Sequence, residues 1–188
     1  MLPLGFANRR SIRRVDWRIV RVIGIDPGLT RTGYGVVERS AGGLVAVGFG
    51  VIKTARDQPS AERLADLGAE IAAVIDQFRP EVAAVERVFF NSNVKTAMSV
   101  GQASGVVLAG AARAGLEVVT YTPTAVKQSV VGFGSATKDQ IGSMVCALLR
   151  LESAPKPPDA ADACALAICH INRSGLSRAI SRAQKEAG

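Results

Sequence analysis

Four acidic residues differ in their surroundings from the other carboxylates of the chain. The apolar run "VIGI" ends on Asp26, which a Pro-Gly turn follows, and the run "EVAAVE" ends on Glu86. Asp159 and Asp162 lie three residues apart at the start of "DAADACALAIC", a spacing that puts both on one face of a helix. A helix N-cap would explain Asp159 alone. Asp162 lies in an apolar segment, where a carboxylate without a partner is costly to bury.

Together these four residues have the chemistry of an all-oxygen metal site. The carboxyl ends of neighbouring parallel strands meet at one edge of a sheet, so Asp26 and Glu86 are expected to converge there. Four carboxylates in one place repel each other unless a cation lies among them, and oxygen ligands suit Mg²⁺ or Mn²⁺. Two such ions about 4 Å apart activate a water and stabilise the leaving oxygen in phosphodiester cleavage. The residues therefore predict a metal-dependent site for phosphodiester chemistry.

The periodicity of apolar residues predicts the elements that would carry this site. Three strands open the chain, and strands then alternate with helices, which indicates an α/β fold with a mixed five-stranded sheet flanked by helices, in the ribonuclease H-like arrangement. The predicted strands span 21–26, 33–39, 44–53, 81–86 and 116–121, and the predicted helices span 60–78, 94–114, 123–131, 138–151 and 159–172.

The composition bounds the class of protein. A chain of 188 residues suits one domain with a real core, and no apolar segment approaches the roughly 20 residues that span a bilayer. The arginine-rich N-terminus lacks the apolar core of a signal peptide, so a cytoplasmic location is expected. Cys146, Cys164 and Cys169 lie in apolar helical segments without a CxxC motif, which favours buried, reduced thiols over metal or redox chemistry.

The net charge of +7 belongs to the two ends of the chain. Residues 1–20 hold five arginines against one acid, and residues 172–188 hold four basic residues against one acid, which leaves the stretch between them neutral. The sequence therefore predicts a basic, disordered extension over 1–20, a folded domain over 21–172 and a basic tail over 173–188. The ends could serve as non-specific phosphate-binding arms, but solvated ends explain them equally well.

Four blocks of the chain carry a family resemblance. "GIDPGLTRTGYGVVE", "AAVERVFFNSN", "VKQSVVGFGSATK" and "PDAADACALAICH" resemble, in order and spacing, the RuvC-type Holliday junction resolvases. The resemblance implies a homodimeric endonuclease with an RNase H-like fold and two Mg²⁺ ions per active site, for which Mn²⁺ substitutes. It implies two symmetric nicks in a four-way DNA junction during recombination and repair, with the RuvA and RuvB branch-migration proteins as partners.

The resemblance also implies roles for basic residues. The four acidic residues take the family's four acidic positions, the third of which is His in some members and Asp159 here. Lys127 and Lys138 match basic positions near the active site, where a cation binds the scissile phosphate or stabilises charge in the transition state. Arg31 and Lys95 are expected to contact the DNA backbone. Without the matching blocks, these basic residues would be interpreted as solvated surface charges.

An aromatic residue follows the second acidic residue closely. Phe89 matches the family's aromatic at this position and lies in the polar loop "RVFFNSN", where it is expected to stack on or wedge against an unpaired base. Phe90 is its neighbour and is expected to pack inward, although the sequence alone does not assign the two.

The predicted helix 94–114 carries a stripe of mostly small residues. The stripe comprises Met98, Gly101, Gly105, Leu108 and Ala112. Glycine inside a helix costs about 1 kcal/mol relative to alanine, so close approach of another backbone is a reasonable cause. Packing on the chain's own sheet is one explanation. The resemblance implies another, a two-fold interface between identical subunits.

Three other classes of protein are alternatives to this interpretation. A YqgF-like nuclease acting on RNA would share the acidic cluster, but the "FFNSN" loop and the small-residue helix fit the junction resolvases better. A non-catalytic junction-binding protein would not need all four carboxylates. The sugar kinase and actin group shares the fold but needs a duplicated domain, and this sequence has no internal repeat.

Overall fold

The computed structural model describes residues 20–87 and 94–186, which form five strands and five helices in the order that the sequence predicts. The strands are β1 (Val20–Asp26), β2 (Arg31–Ser40), β3 (Gly43–Lys53), β4 (Val82–Glu86) and β5 (Glu117–Tyr121). The helices are α1 (Ser60–Phe78), α2 (Val94–Arg113), α3 (Pro123–Val131), α4 (Lys138–Leu149) and α5 (Pro158–Glu186).

The five strands form one mixed sheet in the order β3-β2-β1-β4-β5. The opening meander is antiparallel, with β1 paired to β2 and β2 to β3, whereas β4 runs parallel to both β1 and β5. This mixed sheet confirms the predicted α/β fold class. The parallel half places the carboxyl ends of β1 and β4 side by side, as the metal-site hypothesis requires.

Each face of the sheet supports its own core. Alternate side chains of a strand point to opposite faces. Ile23 and Ile25 of β1 accordingly pack with α1 and α2. Val22 of β1 and Ala84 of β4 pack with α3, α4 and α5 on the other face. Asp26 and Glu86 continue the alternation of Val22 and Ala84, so both carboxylates end their strands on the face that α5 covers.

Helix α5 lies unusually close to this face because three glycines leave room for it. Gly24 and Gly35 are cross-strand partners in β1 and β2. A Cβ on Gly24 would lie 2.7 Å from the backbone nitrogen of Ala167, and one on Gly35 would lie 2.6 Å from that of Cys164. Both distances are shorter than real Cβ contacts. Only glycine therefore permits this approach of helix backbone to strand.

The last helix differs from its predicted bounds. The sequence prediction ended it near Asn172, but α5 continues to Glu186. Residues 173–186 contain no proline, and their arginine, alanine, glutamine and lysine residues favour helix. Gly175 costs only about 1 kcal/mol within a helix, which is not enough to end one. The division of the chain into a domain with two basic ends stays a prediction, and residues 1–19 lie outside the described residues.

Two further expectations concern the helices. In the described part of the chain, no helix combines the length and the apolar character needed to cross a membrane. Cys164 and Cys169 are buried and Cys146 is half-buried, all as free thiols, as predicted. Burial raises the pKa of the Cys164 thiol to about 12, so this residue is an inert core side chain.

Candidate active site

Asp26 and Glu86 meet at the carboxyl edge of the sheet. Ile25 of β1 pairs with Val85 of β4 in parallel register, so the next residue of each strand lies beside the other. The two carboxyl groups share a hydrogen bond. The sequence prediction that these strands bring their terminal carboxylates together therefore holds for this pair.

The protonation of the pair follows from its surroundings. Burial, together with the negative charges of Glu86, Asp162 and Asp159, raises the pKa of Asp26 to about 8. Burial also raises the pKa of Glu86, with the charge of Asp162 adding and the hydrogen bond from Asp26 opposing. The two carboxyl groups together therefore hold a proton more tightly than isolated carboxylates would.

The other two acidic residues come from the first turns of α5. Proline is favoured at the first helical position, where its missing N–H leaves no hydrogen bond unmade, and Pro158 opens the helix just before Asp159. The positive end of the helix dipole stabilises carboxylates there. A Cβ on Gly33 of β2 would overlap the backbone oxygen of Asp159, so the third glycine of the sheet holds this end of the helix close to the site.

Each of these two carboxylates contacts a basic side chain. Arg31 Nη2 lies 2.8 Å from Asp159 Oδ2, and Lys138 Nζ lies 2.9 Å from Asp162 Oδ2. The hydrogen bond to Asp162 raises the pKa of Lys138 and keeps that side chain charged. Across residues 20–87 and 94–186, no three carboxylate, imidazole or thiol groups are already gathered around one point as metal ligands. Asp159 and Asp162 instead face their basic partners.

Most of the predicted site residues border one cleft of about 290 Å³. Asp26, Glu86 and Asp162 lie on its acidic side, and Lys127 of α3 and Lys138 of α4 lie on its basic side. Its remaining walls are mostly apolar, formed by Pro123, Val126, Ile141, Ala165 and Leu166. The cleft thus combines carboxylates with two cations at short range, an arrangement suited to a phosphate group bound through metal ions.

The donor chemistry of the cleft fits a hard divalent cation. Every candidate ligand is a carboxylate oxygen, which Mg²⁺ and Mn²⁺ prefer. Three neighbouring carboxylates help to raise the pKa of Asp26, and this repulsion is what a divalent cation would relieve. Asp26, Glu86 and Asp162 border the cleft in which such an ion would bind, with Asp162 beside Lys138, and Asp159 would join them by leaving Arg31. The ligand roles of all four stay predictions.

The structure leaves three predicted DNA contacts untested. Phe89 and Phe90 lie outside the described residues. Lys95 falls in the first turn of α2, but its side chain also lies outside what the structure describes. Arg31, expected at the DNA backbone, contacts Asp159 in the protein alone. His170 is buried, and its Nδ1 lies 3.0 Å from the hydroxyl oxygen of Tyr121.

The small-residue stripe on α2 is mostly exposed. The face of α2 that packs against the core carries Ala103, Val107 and Ala111, and Leu108 of the stripe is half-buried against the same core. A Cβ on Gly101 or Gly105 would meet nothing within 4 Å, and both glycines are exposed. Packing on the chain's own core therefore accounts for Leu108 but not for Gly101 and Gly105.

Sequence reasoning missed two features of the site. The close contact of α5 with Gly24, Gly33 and Gly35 had a signal, since these glycines alternate with larger residues along two strands and face a helix rich in alanine. The pairing of Arg31 with Asp159 had none, because the two residues are 128 positions apart and meet only through the close packing of α5 on β2.

The comparisons with known proteins agree with this fold. The RuvC family model, whose description is crossover junction endodeoxyribonuclease RuvC, matches residues 22–170. The protein of that description from Streptomyces avermitilis is 50% identical over 165 residues, which cover 87% of this chain and 94% of the relative. The one from Moorella thermoacetica is 50% identical over 151 residues, or 80% of this chain and 90% of the relative.

A solved structure extends the agreement to three dimensions and confirms the predicted RNase H-like fold. The Thermus thermophilus RuvC in complex with Holliday junction substrate superposes with a TM-score of 0.79 at 39% identity, covering 84% of this chain and 96% of that chain. With the acidic edge of the sheet and the two cleft lysines already in place, the chain belongs to the RuvC family of crossover junction endodeoxyribonucleases.

Proposed function

We propose that this protein is a structure-selective endonuclease that resolves four-way DNA junctions by two symmetric, metal-dependent phosphodiester nicks during recombination and repair. The observation that carries the proposal is the cleft in which Asp26, Glu86 and Asp162 face Lys127 and Lys138. The match to RuvC-family nucleases, one of them solved with a Holliday junction, supports DNA rather than RNA as the substrate.

The cofactor proposed is Mg²⁺, with two ions per site and Mn²⁺ as a substitute. Bound among the carboxylates, such ions would supply Lewis-acid stabilisation and a lowered pKa of bound water. The protein's own contribution begins with Asp26, which must give up the proton it shares with Glu86 before its oxygens are free to act as ligands. Lys138 and Lys127 then offer positive charge to the scissile phosphate, since both line the same cleft.

A homodimer is proposed to deliver the two nicks. An isologous contact uses the same surface on both subunits, and the exposed glycines of α2 would let two such helices approach closely. Phe89 follows the cleft residue Glu86 by three positions in the sequence, which supports a role for this aromatic at the bases near the cut. Lys95 is proposed as a backbone contact from the same neighbourhood of the sequence. RuvA and RuvB as partners and a cytoplasmic location rest on the family alone.

The decisive experiment is cleavage of a synthetic four-way junction. Linear duplex DNA and an RNA junction of the same sequence serve as substrate controls, and each is incubated with Mg²⁺ and with EDTA. The proposal expects paired nicks in the DNA junction with Mg²⁺ alone. Equal cutting of linear duplex would indicate a general nuclease, preference for the RNA junction would favour the RNA-directed alternative, and binding without cleavage would favour a junction-binding protein.

A further inference from the structure

Arg31 occupies a position for which a contact with DNA alone does not account. It is the first residue of β2, and its guanidinium lies against Asp159, one of the four carboxylates proposed to hold metal. The pair is half-exposed, with side-chain exposures of 42% for Arg31 and 31% for Asp159. A guanidinium keeps its charge at any ordinary pH, so only displacement can free the carboxylate.

The backbone of Arg31 is held firmly beside the site. Thr32 Oγ1 donates a hydrogen bond of 2.8 Å to the backbone oxygen of Gly28 and accepts one of 3.2 Å from its nitrogen. Arg63 Nη2 donates a hydrogen bond of 2.8 Å to Thr30 Oγ1. These hydrogen bonds hold the backbone of the turn between Asp26 and β2. Arg31 therefore begins its strand at a well-defined position.

The carboxylate partner is held equally closely. Arg31 and Gly33 are two residues apart in β2 and so point to the same face of the sheet. Gly33 contacts the backbone of Asp159 so tightly that a Cβ would overlap it. The strand that carries the guanidinium thus also sets the position of the first turn of α5. In this arrangement the side chains of Arg31 and Asp159 can move while their backbones stay in place.

A second pair repeats the pattern at the other carboxylate of α5. Lys138 contacts Asp162 at 2.9 Å, as Arg31 contacts Asp159 at 2.8 Å. Without metal, Asp159 and Asp162 therefore each have a basic side chain as counter-ion. Exposed pairs of this kind are weak, so a divalent cation can replace the guanidinium. The displaced guanidinium is then free to make paired hydrogen bonds to a phosphate.

We propose that Arg31 is a positioning residue that holds Asp159 in the metal-free protein, yields it to the metal, and then binds a phosphate of the DNA strand in the cleft. The proposal rests on the proposed function of the site, which it deepens by coupling metal loading to DNA binding through one exchangeable side chain. Arg31 thereby competes with metal while DNA is absent and attracts DNA once metal is present.

The metal half of the exchange is tested without DNA. Mn²⁺ binding is measured by electron paramagnetic resonance on the wild type, on Arg31→Gln and on Arg31→Lys. Arg79→Gln serves as the matched control, because Arg79 forms an ion pair with Asp76 at the end of α1. We expect Arg31→Gln to bind Mn²⁺ about 2–5-fold more tightly than the wild type, because one exposed competing charge is lost. Arg79→Gln should bind Mn²⁺ with the affinity of the wild type. Unchanged or weaker binding by Arg31→Gln would overturn the exchange.

A double-mutant cycle separates competition at Asp159 from a general effect of charge. In an Asp159→Asn background there is no carboxylate for Arg31 to hold, so Arg31→Gln should no longer change the affinity for Mn²⁺. An equal gain in both backgrounds would mean that Arg31 acts on the site through space, and the proposed contact would be wrong. Circular dichroism melts confirm that each variant is folded.

The DNA half is measured by fluorescence anisotropy with a labelled four-way junction and Ca²⁺ in place of Mg²⁺. Arg31→Gln should bind less tightly, and the slope of log affinity against log salt should fall by about one, as for loss of one phosphate contact. An unchanged slope would refute the phosphate contact. The Mn²⁺ measurements involve no DNA, so they can succeed even if the wild type fails to cut junctions, and the two proposals fail separately.

Discussion

At the scale of the residue, the chemistry of the cleft depends on the buried carboxyl group of Asp26. Burial and the neighbouring carboxylates raise the pKa of Asp26 from an ordinary 3.8 to about 8 in the folded protein. The folded state therefore binds the proton of this group more tightly than the unfolded chain does. Its contribution to stability is complete below about pH 4 and is lost as the pH rises through about 8.

The first prediction concerns the pH dependence of stability without metal. Between pH 6 and pH 8 in EDTA, the free energy of unfolding of the wild type should fall by an amount on the order of 1–2 kcal/mol from this group. Asp26→Asn carries no titrating proton and should lack that part of the fall. Urea denaturation at each pH measures both proteins. Parallel pH profiles for the two would show that Asp26 is already ionised at neutral pH.

The second prediction concerns the roles of the carboxylates. Glu86→Gln and Asp162→Asn should each lower the rate of junction cleavage by at least about 100-fold, because a lost ligand removes metal-based stabilisation of the transition state. Junction binding in EDTA should survive, since phosphate contacts supply it. Asp76→Asn, on the outer surface of α1, is the control. Near-normal cleavage by Glu86→Gln would remove that residue from the metal site.

At the scale of the element, the site exists because α5 lies directly on β1 and β2. Three glycines make this contact possible, and the one nearest the chemistry is Gly33, whose missing side chain leaves room for the backbone of Asp159. The geometry of the acidic cluster thus depends on residues that carry no functional group.

The third prediction tests this dependence with one methyl group. Gly33→Ala should push the first turn of α5 away from the sheet, lowering the free energy of unfolding by about 1–3 kcal/mol and raising the Mg²⁺ concentration needed for half-maximal cleavage. Gly42→Ala is a suitable control, since its Cβ would meet only Ser40 Oγ at an ordinary 3.8 Å. Denaturation and metal titration report the two effects. A Gly33→Ala protein with wild-type metal dependence would show that the contact only stabilises the fold.

Sequence periodicity predicted elements well where each had its own local signals. The observed bounds of α1 equal the predicted ones, because its apolar stripe and the proline beyond its end are both local. Thr137 caps α4 in a capping box with Gln140, which is also a local signal. The end of α5 was wrong because no local signal stops that helix. The position of α5 on the glycines could not be predicted from the sequence, because it depends on contacts between segments that are far apart along the chain.

The candidate site, like the helices and strands, could be predicted from the sequence only in part. The ends of two parallel strands brought Asp26 and Glu86 together as expected, since strand direction alone decides that meeting. Local sequence does not encode which basic side chain pairs with Asp159 and which pairs with Asp162. The pairs with Arg31 and Lys138 depend on side-chain positions that only the packed structure provides.

At the scale of the whole molecule, most of the small-residue stripe on α2 is exposed and available to contact a partner. Met98 is 60% exposed at one end of the stripe, and Gly101 and Gly105 have open space before them. A surface of this kind suits the isologous contact of two identical helices. Two active sites at a fixed separation would follow from such a dimer.

The fourth prediction tests the dimer directly. Gly105→Leu places a bulky side chain where two helix backbones would meet, so the dimer should weaken by at least about tenfold while the monomer stays folded. Ala73→Leu, at an exposed position on α1, is the matched control. Sedimentation measures association, and junction assays separate single from paired nicks. If Gly105→Leu sediments as a dimer and makes paired nicks, this face of α2 is not the interface.

The close seating of α5 on Gly24, Gly33 and Gly35 also bears on how mutational scans of this protein would be interpreted. A screen scored only by activity would reject substitutions at these three glycines as firmly as substitutions at the carboxylates, and would assign both groups to catalysis. Scoring the abundance of folded protein beside activity would separate them. Variants of Gly24 and Gly35 should lose both signals, whereas variants of Glu86 should keep their abundance and lose activity alone.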